Sequence, residues 1–201
     1  MNSPDIVLAR LDIRVEAADA SAALLSAEER HRAARFAAAR ERRRFTVARA
    51  RLRQLLGERL GVAPDAIELE YAPGGKPRLH PRCGDLRFNV SHHEDVAAFA
   101  FANGREVGID IEGVRTLPDA DAIAAMVFSP RERQTYLALD PAQQPRAFFN
   151  CWTRKEAFVK ALGEGLRYPL HRFDASRLPS GWTLHEFDPG AELVGAVVVA
   201  S

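Results

Sequence analysis

Within Val107-Gly108-Ile109-Asp110-Ile111-Glu112, strand alternation puts Val107, Ile109 and Ile111 on one face and Gly108, Asp110 and Glu112 on the other. Two carboxylates then project side by side, with a glycine leaving space next to them. Neighbouring like charges repel, so the pair calls for a cation. Hard oxygen ligands suit magnesium, which keeps several waters and shares phosphate oxygens with a substrate. An exposed polar strand face is the alternative reading of the same hexapeptide.

A second group lies between Phe148 and Lys160. At a helical period Phe148, Cys151, Trp152, Phe158, Val159 and Leu162 form one apolar arc, with Glu156 and Lys160 together at its margin. An ordinary i,i+4 salt bridge of ~0.3–0.5 kcal/mol would account for that pair. Lys155 points into the arc itself, where an ammonium needs a partner or a ligand. Upstream, Phe88-Asn89-Val90-Ser91-His92-His93-Glu94 reads as a strand ending in groups that can hydrogen-bond a phosphate. His92 and His93 point to opposite sides if extended, which argues against a zinc pair, and a plain turn at a strand end is the alternative. Gly74-Gly75-Lys76-Pro77 offers backbone N–H groups and one ammonium but lacks the Walker spacing. Lys76, Lys155 and Lys160 are the three lysines among 28 basic residues, and all fall in these segments. That placement marks sites where a guanidinium does not replace a compact ammonium.

The elements that must position these groups are legible in outline. Ile6 to Ile13 alternates as a strand, and Ser26-Ala27-Glu28-Glu29 has the form of a capping box opening a helical tract towards Leu60, stopped by Gly61. Eleven arginines run from Arg30 to Arg59; a solvated helix face and a phosphate-binding surface are both open readings. Ile67, Leu69 and Tyr71 alternate as a strand broken at Pro73, Leu86 to Val90 forms another, and Val96 to Phe101 follows. Asn103-Gly104 signals a hairpin into Val107–Glu112. In the second half, Ser129-Pro130-Arg131-Glu132 starts a helix, and another runs from about Pro145 to Leu162 with Gly163 as its stop. Leu166 to Phe173, Trp182 to Phe187 and Leu193 to Val199 read as strands. Helix followed by sheet therefore occurs twice, which predicts an α+β protein of two similar halves meeting near residues 102–106.

Length and composition set the bounds. The chain has 201 residues, 47% hydrophobic and 27% charged, enough for a real core and incompatible with a disordered or disulfide-built chain. A formal net charge of +1 gives no global field for nucleic acid, so no nucleic-acid partner is expected. Cys83 and Cys151 stand far apart and read as free thiols. The N-terminus, from Met1, lacks a signal-peptide pattern, and no long uncharged apolar stretch exists, so the expectation is a cytoplasmic protein without a membrane partner.

Taken in order, Gly-Lys-Pro, Phe-Asn-Val-Ser-His, Gly-Ile-Asp-Ile-Glu and Trp-x-x-Lys-Glu-Ala-x-x-Lys make the chain resemble a 4′-phosphopantetheinyl transferase of the surfactin-synthetase-activating type, along its whole length. The resemblance implies two α+β halves, 1–104 and 105–201, related by a pseudo-twofold axis, with coenzyme A in the cleft between them. Shorter relatives resemble one half and trimerise, so this chain is expected to hold its site within a monomer. By the same resemblance, Asp110, Glu112 and Glu156 are the magnesium-site acids, with manganese as the alternative ion. Glu156 and Lys160 are then the catalytic pair, and Lys160 also lies near the coenzyme A pyrophosphate. Arg32, Gly75, Lys76, Asn89, Ser91 and His92 are implied to hold the nucleotide end. Glu29 stands where some members carry a lysine, which implies a weaker grip there. The implied reaction moves phosphopantetheine from coenzyme A to a serine of an apo acyl, aryl or peptidyl carrier protein and releases adenosine 3′,5′-bisphosphate. The carrier's acidic helix would be read by residues 113–130 and by the arginine surfaces. A coenzyme A or carrier-protein binding module without turnover is the competing reading; a pure binder has no need of three acids and a lysine.

Overall fold

The computed structural model describes residues 3–165, 168–190 and 192–201. Met1 and Asn2, where the N-terminal reading begins, and Leu166 and Arg167, where a strand was expected to start, lie outside the described residues. From that expected strand the described part contains a short 3-10 turn, Leu170–Arg172.

The first half runs β1 (Asp5–Arg10), α1 (Val15–Ala22), α2 (Ala27–Ala34), α3 (Ala39–Leu60), β2 (Leu69–Tyr71), β3 (Pro77–Leu79), β4 (Leu86–His93) and β5 (Val96–Asn103). The second runs β6 (Val107–Gly113), α4 (Ala120–Val127), α5 (Pro130–Leu137), α6 (Gln144–Leu162), β7 (Trp182–Phe187) and β8 (Leu193–Ala200). Each half forms an antiparallel three-stranded sheet of one topology: β1-β5-β4 in the first, β6-β8-β7 in the second. In both, the last strand is central, flanked by the first strand and by the strand just before it. This is the α+β architecture expected.

The expected hairpin from Asn103-Gly104 into β6 does not form. β5 already has β1 on one edge and β4 on the other, so it has no free edge to offer. Gly104, at φ +65°, turns the chain away instead, and its N–H donates to the Asp85 carbonyl. The long helical tract from Ser26 is likewise two helices, with the chain folded back between Arg35 and Ala38 so that Phe36 meets Phe45 at 5.4 Å between ring centroids.

Strand alternation sorts the core into layers. Phe99 and Phe101 on one face of β5 pack with Leu52, Leu55 and Leu56 of α3. Ala98, Ala100 and Ala102 on the other face meet Val107, Ile109, Ile111, Val197 and Val199 of the second sheet. That sheet's outer face, with Ala196 and Val198, is covered by Ala157, Phe158 and Ala161 of α6. The order is therefore helix, sheet, sheet, helix, with small alanines allowing the two sheets to approach. Gly108, on the other face of β6, lets α6 come equally close: a Cβ there would lie 2.1 Å from the Ala157 carbonyl oxygen. The room expected beside the acids is thus filled by the α6 backbone.

One device occurs in both halves. Ser26 and Glu29 form a capping box at α2, and Glu29 also binds Arg53 of α3 at 2.7 Å, with both side chains 2% exposed. Arg53 donates on to the carbonyls of Pro64 and Ile67. Ser129 and Glu132 form the matching box at α5, and Glu132 binds Lys155 of α6 at 2.7 Å. Lys155 donates on to the carbonyls of Leu170 and Phe173, and Glu132 also accepts from the Ala175 N–H. The partner that Lys155 required is therefore structural. Cys83 and Cys151 are free, and no described helix is long and apolar enough to cross a membrane.

Candidate active site

β4 and β6 run side by side at the seam between the halves, joined through side chains. The Ile109 N–H donates to Asn89 Oδ1 at 2.9 Å, and the Ile111 N–H donates to Ser91 Oγ at 3.3 Å. Asn89 and Ser91 alternate on β4 as Ile109 and Ile111 do on β6, so polar side chains stand where a main-chain ladder would otherwise run. Ser91 in turn donates to Asp110 Oδ1 at 2.8 Å.

Lys160, in the last turn of α6, completes this cluster. Its ammonium donates to Asp110 Oδ1 at 2.7 Å and to Ser91 Oγ at 3.1 Å. The i,i+4 pair with Glu156 that helix geometry allows is replaced by this tie across to β6. Asp110 is buried, and its Oδ2 has no hydrogen-bond partner. Glu156 lies one turn before Lys160, and its carboxyl is held above its ordinary value by burial first, then by the Asp110 carboxylate, with Glu112 adding and Lys160 opposing. Asp110, Glu112, Glu156 and Lys160 are thus mutually within electrostatic reach on the surface between β6 and α6.

The residues expected at the nucleotide end are not all free to bind one. Lys76 is the most fully engaged of them: its Nζ donates to Glu106 Oε2 at 2.9 Å and to the carbonyls of Val107 at 2.9 Å and Ala161 at 3.1 Å. All three protons are used, and the side chain is buried, so it ties the β2–β3 turn to β6 and α6 rather than presenting a charge to a phosphate. Burial depresses its proton affinity and Glu106 partly restores it. Asn89 and Ser91 are buried in the seam. His92 is exposed on the opposite face of β4; partial desolvation first, then the Lys160 charge, holds its imidazole below the usual value. Gly75 sits at φ +81° in the β2–β3 turn, which requires glycine. Arg32 is exposed and lies over the rings of Tyr71 and Phe45 at 5.1 and 5.9 Å. Glu29 is a buried clamp residue also 3.6 Å from Arg49, and so is no surface charge facing a ligand.

Two groups that sequence reasoning left aside reach the acids: His93 and Arg115 both contact Glu112 Oε2, each at 3.3 Å. The alternation of β4 could have flagged His93, since it shares a face with Asn89 and Ser91. Glu106, which receives Lys76, carried no motif.

The donor set suits a hard cation. Among the described residues no three ligand-type side chains already stand at coordinating separation. Even so, a buried carboxylate oxygen without a hydrogen-bond partner, and a neighbouring carboxyl whose ionisation is opposed by two others, are the arrangement a divalent ion relieves. None of these residues lines the cavity of about 550 Å³ between Arg59, Phe101 and Arg105.

Comparison with known proteins agrees over both halves. The family model for the 4′-phosphopantetheinyl transferase superfamily matches residues 106–191, and that for the 4′-phosphopantetheinyl transferase N-terminal region matches residues 15–103. The chain is 38% identical over 190 residues to the 4′-phosphopantetheinyl transferase HetI of Nostoc sp., covering 89% of this chain and 80% of that protein. It is 32% identical over 174 residues to the 4′-phosphopantetheinyl transferase of Bacillus subtilis, covering 87% and 76%. To the L-aminoadipate-semialdehyde dehydrogenase-phosphopantetheinyl transferase of Mus musculus it is 33% identical over 164 residues, covering 75% of this chain and 53% of that protein. With two family models side by side along it and relatives matched over most of its length, the chain belongs to the 4′-phosphopantetheinyl transferase superfamily.

Proposed function

We propose that this transferase moves phosphopantetheine from coenzyme A to the serine of an apo carrier protein at the acid-and-lysine surface between β4, β6 and α6. The observation that supports this most is the Asp110–Lys160–Ser91 cluster, with the orphaned Asp110 Oδ2 beside the Glu156 carboxyl. Asp110, Glu112 and Glu156 would hold magnesium, with manganese the alternative; when bound, the ion neutralises charge on the pyrophosphate. Glu156 takes the proton of the acceptor serine, directly or through a water, as its oxygen attacks the β-phosphorus. The bond from that phosphorus to the adenosine bisphosphate oxygen breaks, and Lys160 stabilises the charge left on the departing phosphate. Ser91 and Asp110 hold the Lys160 ammonium in place. Arg32, Gly75 and His92 remain the residues proposed for the nucleotide end. The two halves, 1–104 and 105–201, together make one site, so a monomer is sufficient.

Intact-protein mass spectrometry of apo acyl, aryl and peptidyl carrier proteins, incubated with the chain, coenzyme A and magnesium, tests this directly. A gain of roughly 340 Da on a carrier, abolished by EDTA, is expected. Coenzyme A binding without any gain would instead make the chain a binding module.

Lys76 gives a second check. Lys76→Met should lower stability by roughly 2 kcal/mol, since it strands two carbonyls and Glu106, and should leave the KM for coenzyme A within about twofold. Thermal denaturation beside steady-state kinetics separates the two; a large rise in KM at unchanged stability would return Lys76 to the nucleotide end.

A further inference from the structure

His93 was set aside as half of a histidine pair at a strand end. It is the third of three alternate residues of β4 that reach across to β6: Asn89 to Ile109, Ser91 to Ile111, and His93 to the Glu112–Gly113 corner. Its Nδ1 lies 3.3 Å from Glu112 Oε2.

The ring has a seat made for it. A Cβ on Gly113 would come within 2.3 Å of His93 Nε2 and within 2.9 and 3.0 Å of Cε1 and Cδ2. Gly113 is not among the residues of positive φ, so its backbone would accept any residue, and what glycine supplies here is room for the imidazole. The first two rungs of the seam bind main-chain N–H groups; the third binds a side-chain carboxylate.

Arg115 meets the same oxygen from the other side. Its Nη1 is 3.3 Å from Glu112 Oε2 and 2.9 Å from the Gly113 carbonyl, and its guanidinium lies 4.5 Å from the centre of the Phe149 ring on α6. Glu112 Oε2 is therefore bracketed by two groups on separate elements. Among the described residues none bonds Oε1.

We propose that His93, seated over Gly113, is a positioning residue: with Arg115 it fixes Glu112 through Oε2 so that Oε1 faces the cation site shared with Asp110 and Glu156. This rests on the cation site proposed above. Groups that orient a carboxylate ligand from behind commonly change metal affinity by ~10–100-fold when removed.

The test is a Mn²⁺ titration of the whole chain with coenzyme A present, read by the loss of the free-ion paramagnetic resonance signal, with melting temperature measured in parallel. His93→Ala should weaken Mn²⁺ binding about tenfold. His93→Asn, whose amide can still donate to Oε2, should recover most of that loss. Gly113→Ala should reproduce the His93→Ala defect by displacing the ring, and the double variant should be no worse than either single one. Mn²⁺ binding by His93→Ala within about twofold of the parent, or additive losses in the double variant, would overturn the role of His93 alone. Absence of Mn²⁺ binding by the parent chain would overturn the cation site itself, and this proposal with it.

Discussion

Asp110→Asn is expected to reduce kcat/KM for transfer by at least about a hundredfold, the scale of losing one preorganised charge contact in a phosphoryl transfer. The change keeps the volume of the side chain and its ability to accept from Lys160 Nζ, now 2.7 Å from Oδ1, so the fold should persist. What it removes is the charge. Asp110 is buried, with Oδ2 lacking any hydrogen-bond partner, and a buried ionised oxygen is retained against its desolvation only where something cationic meets it. Steady-state transfer to a carrier protein, beside a melting curve that matches the parent, checks this. Activity within about tenfold of the parent would remove Asp110 from the machinery.

Glu132→Gln should lower stability by about 3–5 kcal/mol, because it strands the Lys155 ammonium in the interior. Lys155 is 0% exposed and holds Glu132 at 2.7 Å, and the same carboxylate closes the α5 capping box and accepts from Ala175. At roughly 2–4 °C per kcal/mol for a chain of this size, the melting temperature should fall by about 10 °C. The double variant Glu132→Gln/Lys155→Met should recover part of that loss, since no buried charge is then left alone. A single-variant shift of less than about 2 °C would mean that the pair is reached by water.

The sequence carried local signals faithfully and long-range partners poorly. Both capping boxes and the glycine stops at Gly61 and Gly163 follow from local backbone chemistry, and each is present as read. The faces of β6 follow from strand alternation, and the acids do share the face turned to α6. By contrast, α1 has no side-chain cap to announce it, and the break before α3 falls among alanines, which favour helix on either side. The false hairpin after Asn103 has the same origin. A turn signal describes two residues, whereas pairing depends on whether an edge is open, and β5 was closed on both sides by strands about ten and ninety residues away. Lys155 was read as an ammonium needing a partner or a ligand, and Lys76 as one offered to the nucleotide end. What they find are carbonyls and a glutamate, which only the tertiary fold brings near.

The clamp of serine, glutamate and buried cation occurs once in each half, but among the described residues the acid set occurs once. β1, the counterpart of β6, carries a single acid, Asp5, and it is bonded to Arg59. Scaffold is duplicated here while chemistry is not. In an assembly of identical half-length subunits every substitution would be repeated at every seam, so a change that helped hold one substrate would also alter the surface that receives the other. Joining the halves in one chain lifts that constraint: β4 can change its side chains to suit the seam while β7, its equivalent, keeps its own, with Glu186 paired to Arg154 of α6. Heritable asymmetry of this kind lets the two faces of the seam be selected for independently.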